Sequence, residues 1–242
     1  MEIALKEVSG SFHPLQMTFT RFLAGGLFLI PFAVRTLKKK RASLNWKDLP
    51  GFLLLGFVGM VLSMSIYQMS VKEVPASVVA VLFSSNPIFT AVLAFFMLKE
   101  PIRRNQIAAL LLEIGGILAI INPFHTSLSP YGVLLAMIST LLFAVYGVMG
   151  KRRCARFGGV VVTCASFLCG GAEMLFMILF SRLPMVNKWL AGSGLELFAN
   201  IPLLSGYSWN TLPWMLMICI VNTGLGFACY FKAMEETSAQ ET

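Results

Sequence analysis

Ser84, Ser85, Asn86 and Pro87 follow one another inside an apolar run, and no other arrangement in this chain is better suited to chemistry. Proline has no N–H to donate, so the carbonyl one turn earlier loses its helical partner and polar backbone opens within an apolar helix. Two hydroxyls and an amide beside such a break can bind a polar ligand. The same break can equally be a packing kink that neighbouring helices satisfy. More uncharged polar residues recur in apolar surroundings: Ser63, Ser65, Tyr67 and Gln68, then Tyr146, then Asn222, Thr223 and Tyr230. Aromatics mixed with hydroxyls and amides suit amphipathic organic solutes, although Tyr67 and Tyr230 also fit the aromatic belts of a membrane interface.

Three charged residues stand in equally apolar stretches, where an ionised side chain is costly and invites a functional reading. The planar donor fork of Arg21 matches a substrate carboxylate or phosphate. The competing reading has Arg21 snorkelling outward or holding helix carbonyls. Glu113 and Glu173 are candidates for proton coupling, since burial tunes when a carboxyl holds its proton. The five cysteines form no CxxC pair and suit small packing residues, with no metal or disulfide implied. No phosphate-binding GxxxxGK[ST] loop, Ser/His/Asp set or zinc spacing occurs, so the sequence supports neither direct ATP use, nor a cofactor, nor an enzyme.

The elements that must position these residues are transmembrane helices. Of 242 residues, 57% are hydrophobic and only 12% charged, against about 25% charged in soluble domains. Apolar blocks of about 20 residues are long enough to cross a ~30 Å hydrocarbon core. Seven spans are predicted: α1 over 14–34, α2 over 49–71, α3 over 76–98, α4 over 104–121, α5 over 131–150, α6 over 158–181 and α7 over 212–231. None alternates with period two, so the expectation is an all-α membrane protein and not a barrel. The first ten residues do not read as a signal peptide. The net charge of +8 comes from loops, not from a nucleic-acid surface. Fourteen Lys and Arg residues lie between α1 and α2, α3 and α4, α5 and α6, and after α7, against four on the other side. That asymmetry predicts cytoplasmic basic loops in a cell membrane.

The chain also repeats itself. At an offset of 145, residues 12–26 align with 157–171, and Phe12, Thr18, Phe22, Leu23, Gly25 and Gly26 meet identical partners. At an offset of 163, residues 46–79 align with 209–242, pairing Trp46 with Trp209, Pro50 with Pro213 and Tyr67 with Tyr230. Thus α1 and α6 are copies, as are α2 and α7, and each copy crosses in the opposite direction. A repeat of five spans produces that inversion, with the substrate site between halves. The expected whole has ten spans, five plus five. The first repeat covers 1–124 without most of its first span, and the second covers 125–242 without its last two. The paired glycines at 25–26, 115–116 and 170–171, with Gly56 and Gly59, read as small-residue helix contacts.

The stretch 75–123 resembles the EamA-type module of the drug/metabolite transporter superfamily. The resemblance rests on its small-residue start, Asn86-Pro87, the LKEP turn at 98–101, Gln106 and Gly115-Gly116. Pro14 with Arg21-Phe22 fits as well, as do Gly132, Tyr146 and Lys151. The resemblance implies a carrier of small metabolites such as amino acids, an exporter working by alternating access. It places the cavity between α2, α3, α5 and α7, with Gln68, Ser84, Ser85, Asn86, Tyr146, Asn222 and Thr223 as substrate contacts and Arg21 near the outer mouth. It puts α4, and Glu113 with it, at the periphery, where a homodimer contact competes with coupling. The partners implied are a small-molecule substrate and the lipid bilayer, with no nucleic acid.

Two rival readings exist. Seven helices with an outside N-terminus is also the topology of a seven-span receptor, but the inverted repeat and the lack of a DRY-like triplet after α3 speak against it. The other is a fragment of a carrier that does not itself transport.

Overall fold

The computed structural model describes residues 12–99, 104–121, 128–203 and 205–236, and within them every regular element is helical. Lys6, Glu100, Pro101, Arg103 and His125 lie outside the described residues. All seven predicted spans form helices: α1 Pro14–Lys40, α2 Leu49–Glu73, α3 Ala76–Leu98, α4 Arg104–Ile121, α5 Pro130–Phe157, α6 Gly159–Ser181 and α7 Leu212–Glu235. Six are long and apolar enough to cross a membrane; in α4 the apolar stretch among described residues is the shorter Ile107–Ile117. Helix starts carry a proline in the first turn at Pro14, Pro50, Pro87, Pro130 and Pro213, where its missing N–H costs nothing. Between α6 and α7 a surface helix, Pro184–Gly192, and a single 3-10 turn cover one end of the bundle.

Helix contacts fall on repeat-equivalent residues. The rings of Phe22 and Phe167, equivalent at offset 145, meet edge to face at 4.9 Å. A Cβ placed on Gly26 would lie 3.2 Å from Leu168, and one on Gly171 would lie 3.5 Å from Leu23. These contacts are reciprocal, as a two-fold relation requires. Numbers rise along α1 as they fall along α6, so the two helices are antiparallel. A second reciprocal set joins α1 to α7 and α6 to α2. A Cβ on Gly25 would meet the Cys219 carbonyl at 3.1 Å, and one on Gly170 would meet Gly56 Cα at 3.2 Å. Cys219 and Gly56 are equivalent at offset 163. Gly25, Gly26, Gly56, Gly59 and Gly170, read from sequence as packing residues, therefore sit at close helix crossings where a side chain has little room. The same reading of Gly115 and Gly116 is corrected: both are exposed on α4, and a Cβ there would meet nothing within 4 Å.

The repeat extends to backbone irregularity. Helix α2 widens into a π-helical segment over Phe57–Ser63, and α7 does so over Met217–Leu225. In the 163 register these overlap. Such segments are rare and cluster at functional sites. At the first, Ser63 Oγ donates to the Ser139 carbonyl at 2.9 Å, and Ser139 Oγ donates to the Ser63 carbonyl at 2.8 Å. Further along the same seam, Ser70 Oγ donates to the Gly132 carbonyl. Three hydroxyl–carbonyl bonds thus zip α2 to α5, the use of small polar residues expected where hydrophobicity cannot drive helices together.

The two ends of the bundle are tied across the repeats. At the basic end Lys40 pairs with Glu235, whose other oxygen accepts the Gly159 N–H, and Arg156 pairs with Asp48 at 2.8 Å. At the other end Gln16, fully buried, donates to the Leu203 and Ser205 carbonyls and accepts from Ser205 Oγ. Trp46 and Trp209, repeat equivalents, stand 87% and 88% exposed at opposite ends, as interfacial anchors do.

Candidate functional site

The break in α3 falls where the sequence placed it. One helix stops at Phe83 and another begins at Asn86, with Ser84 and Ser85 as a two-residue turn. Both hydroxyls turn back onto their own helix, Ser84 Oγ to the Val81 carbonyl at 2.7 Å and Ser85 Oγ to the Leu82 carbonyl at 2.6 Å. Ser84 is exposed and Ser85 buried, so only the second faces the bundle. The serines close the break; Asn86 is the group the break presents. The Tyr230 hydroxyl of α7 lies close to the Asn86 amide, and Thr90 Oγ1 stands 3.5 Å from Asn86 Oδ1. The first repeat's broken helix therefore meets the second repeat's last described helix through polar side chains.

Tyr230 reaches this point because α5 carries a glycine there: a Cβ on Gly147 would lie 2.8 Å from the Tyr230 hydroxyl. The interfacial-belt reading of Tyr230 is thereby corrected, since its hydroxyl points at helix α5 and Asn86 inside the bundle. Tyr67, its repeat partner, packs edge to face on Phe83 at 5.2 Å, beside the same break.

The remaining candidates divide. Tyr146 is fully buried; its hydroxyl lies 3.1 Å from Ser166 Oγ, and its ring wedges among Phe143, Phe231 and Gly59. It supports the wall behind Tyr230. Gln68 Nε2 reaches Thr18 Oγ1 at 3.4 Å, joining α2 to α1. Arg21 does not snorkel: it is 8% exposed, with Nη2 3.2 Å from Met64 Sδ and its guanidinium over the Phe22 ring at 4.7 Å. It sits where α1, α2 and α7 converge. Asn222 Nδ2, Thr223 Oγ1 and Ser65 Oγ are buried without a hydrogen-bond partner among the described residues. All three lie in or beside the π-helical segments. Unsatisfied buried donors in an apolar interior call for a polar guest.

Neither candidate carboxylate joins Asn86. Glu113 stands on α4, whose main packing is against the first half of α3. Glu173 lines a cleft on the side of the bundle between α2 and α6. Gln16 and Tyr230 are the residues that the sequence reading passed over or misplaced.

Known proteins agree with this architecture. The chain matches the EamA-like transporter family over residues 2–122 and again over 130–242. An uncharacterized transporter of Clostridium kluyveri is 30% identical over 236 residues, covering 95% of this chain and 70% of that protein. The uncharacterized inner membrane transporter YedA of Escherichia coli K12 is 28% identical over 89% of this chain and 75% of its own length. A solved crystal structure superimposes with a TM-score of 0.72 at 18% identity, covering 99% of this chain and 76% of that one, which speaks to the fold. With two matched modules, six apolar membrane-length helices and a relative at this identity, the chain is a multi-pass membrane protein that belongs to the EamA-like transporter family.

Proposed function

We propose that this protein exports small organic solutes, with amino-acid-like metabolites as the substrate class, by alternating access and without direct ATP use. Its two halves, 1–124 and 125–242, act as inverted repeats that rock about the α1–α6 contact. The observation that carries the reading is the broken helix α3, which turns Asn86 toward Tyr230 of the opposite repeat. A discontinuous helix at a repeat interface is a recurrent way of building a transporter site. Asn86 offers both donor and acceptor, Tyr230 offers a hydroxyl and an aromatic face, and Ser65, Asn222 and Thr223 add buried polar atoms with unused bonding capacity. Such a set recognises a zwitterionic or polar head by hydrogen bonds while apolar helices contact the rest. The end-to-end ties, Lys40–Glu235 and Arg156–Asp48 on one side and Gln16–Ser205 on the other, supply contacts that opening would break.

The test is counterflow of radiolabelled amino acids in proteoliposomes. Asn86→Ala removes one hydrogen-bonding partner, worth about 1–3 kcal/mol when buried, so apparent affinity should fall roughly ten- to a hundredfold. Protein yield should be unchanged. Normal transport by Asn86→Ala would remove Asn86 from the site.

A further inference from the structure

Glu173 lies well inside the membrane-length helix α6 and opens onto a lateral cleft of about 600 Å3. The walls are Phe57, Val61 and Leu62 of α2 and Phe176 and Phe180 of α6. Above it, sharing Met177 and Phe180, a second cavity of about 620 Å3 runs under the surface helix to Trp189. Each volume lies in the range of organic-ligand pockets. Glu173 is the one acidic group in either lining, and its Oε2 is buried without a hydrogen-bond partner among the described residues. Neither ion pair among the described residues involves it. Its repeat partner is Phe28, so the two-fold packing does not require a carboxylate here.

A lone carboxylate in an apolar wall is complementary to one chemistry. A cation entering the cleft gains an ion pair strengthened by the apolar surroundings, with no basic residue in the lining to compete. Its apolar body gains contact with aromatic rings, whose faces also attract positive charge. Methionines at Met69 and Met177 adapt the walls to different shapes.

We propose that the α2–α6 cleft is a binding site for amphipathic organic cations, an aromatic or aliphatic body bearing an ammonium, with Glu173 as its counter-ion. This site is separate from the Asn86–Tyr230 site and stands independently of the transport reading.

The probe set is 1-naphthylmethylamine and the uncharged 1-naphthylmethanol, measured by equilibrium dialysis against the protein in zwitterionic nanodiscs at pH 7.5, with empty nanodiscs subtracted. The amine should bind saturably and at least tenfold more tightly than the alcohol. Glu173→Gln should erase that preference while leaving alcohol binding unchanged, which also reports that the cleft is folded. Ala172→Phe, at the cleft wall, should weaken both probes. Asn86→Ala should alter neither. The proposal is overturned if no saturable amine binding exceeds that of empty discs, if wild type binds both probes equally, or if Glu173→Gln keeps the preference. It is also overturned if Asn86→Ala abolishes amine binding, which would place the probe in the central site.

Discussion

Gly59→Ala should destabilise the protein by driving a methyl group into the Tyr146 ring. An added Cβ would lie 2.5 Å from Tyr146 Cδ2, 2.6 Å from Cγ and 3.1 Å from Cβ. These atoms are the root of the ring, not a flexible tip, and the ring cannot step aside. Phe143 and Phe231 hold it at centroid distances of 5.6 and 5.3 Å, and Ser166 holds its hydroxyl. Overpacking of this kind costs about 1–3 kcal/mol, and losing the buried Tyr146–Ser166 bond adds about 0.5–1.5 kcal/mol. Removing a helix-interior glycine returns about 0.5–1 kcal/mol. The net expectation is a loss of about 0.5–4 kcal/mol, centred on about 2, read as a lowered midpoint in reversible SDS unfolding from bicelles. A double-mutant cycle with Tyr146→Ala isolates the cause, since without the ring the Gly59→Ala penalty should vanish. If Gly59→Ala unfolds within about 0.5 kcal/mol of wild type, or if its penalty survives Tyr146→Ala, the wedge is not what fixes this crossing.

Three further outcomes follow from the same structure. Ser139→Ala removes one donor of the α2–α5 zipper while α2 keeps Ser63 Oγ as donor, so it should cost about 0.6–1.7 kcal/mol in the same assay; no change would mean the zipper is incidental. His13 caps α1 by accepting the Leu15 N–H, and burial, with Lys72 nearby, holds its pKa below the ordinary 6.5. Folding thus favours neutral His13, so its contribution is complete above pH 6.5 and is lost as pH falls through the lowered value; His13→Asn, which caps without titrating, should flatten stability between pH 7.5 and 5. Single cysteines at Lys39 and Arg153 should label with an impermeant maleimide only after permeabilisation, whereas one at Ser127 should label in intact cells; equal labelling at all three would refute the charge-derived orientation.

The helices were legible because apolar length and first-turn prolines mark them locally. Their ends were less so. Helix α1 runs on to Lys40, six residues past the apolar stretch, since Lys38, Lys39 and Lys40 suit the negative end of a helix and Arg41 closes it at φ 51°. Helix α5 runs on to Phe157, where Gly158 at φ 90° stops it. The connection between α6 and α7 carries no periodic signal, and with it the burial of Gln16 was invisible: the Gln16 partners lie 187 and 189 residues away. At the site, Asn86-Pro87 announced the break by itself. That Asn86 meets Tyr230 depends on how closely α5 and α7 cross at Gly147, which no local pattern encodes.

Setting the two repeats against each other separates packing from chemistry. Residues that place one helix against another are matched: Gly25 with Gly170, Gly26 with Gly171, Phe22 with Phe167 and Leu23 with Leu168. A two-fold relation can persist only if both copies of each crossing keep the same clearance, so these positions are tied together physically. Apart from Tyr230, which matches Tyr67, residues that could meet a solute are mismatched in the same registers. Arg21 faces Ser166, Glu173 faces Phe28, Asn222 faces Gly59 and Gln68 faces Phe231. Each exchange changes charge, hydrogen-bonding capacity or volume while leaving the helix path alone. At Asn222 and Gly59 the logic is explicit, because Gly59 must stay empty to admit Tyr146, whereas α7 at the equivalent point carries an amide with an unsatisfied donor. A symmetric frame can exchange inward and outward openings at little cost in packing, since each opening breaks equivalent contacts. Under the alternating-access reading proposed above, the asymmetric lining makes the two openings chemically different, while the matched crossings keep the helix frame the same in both.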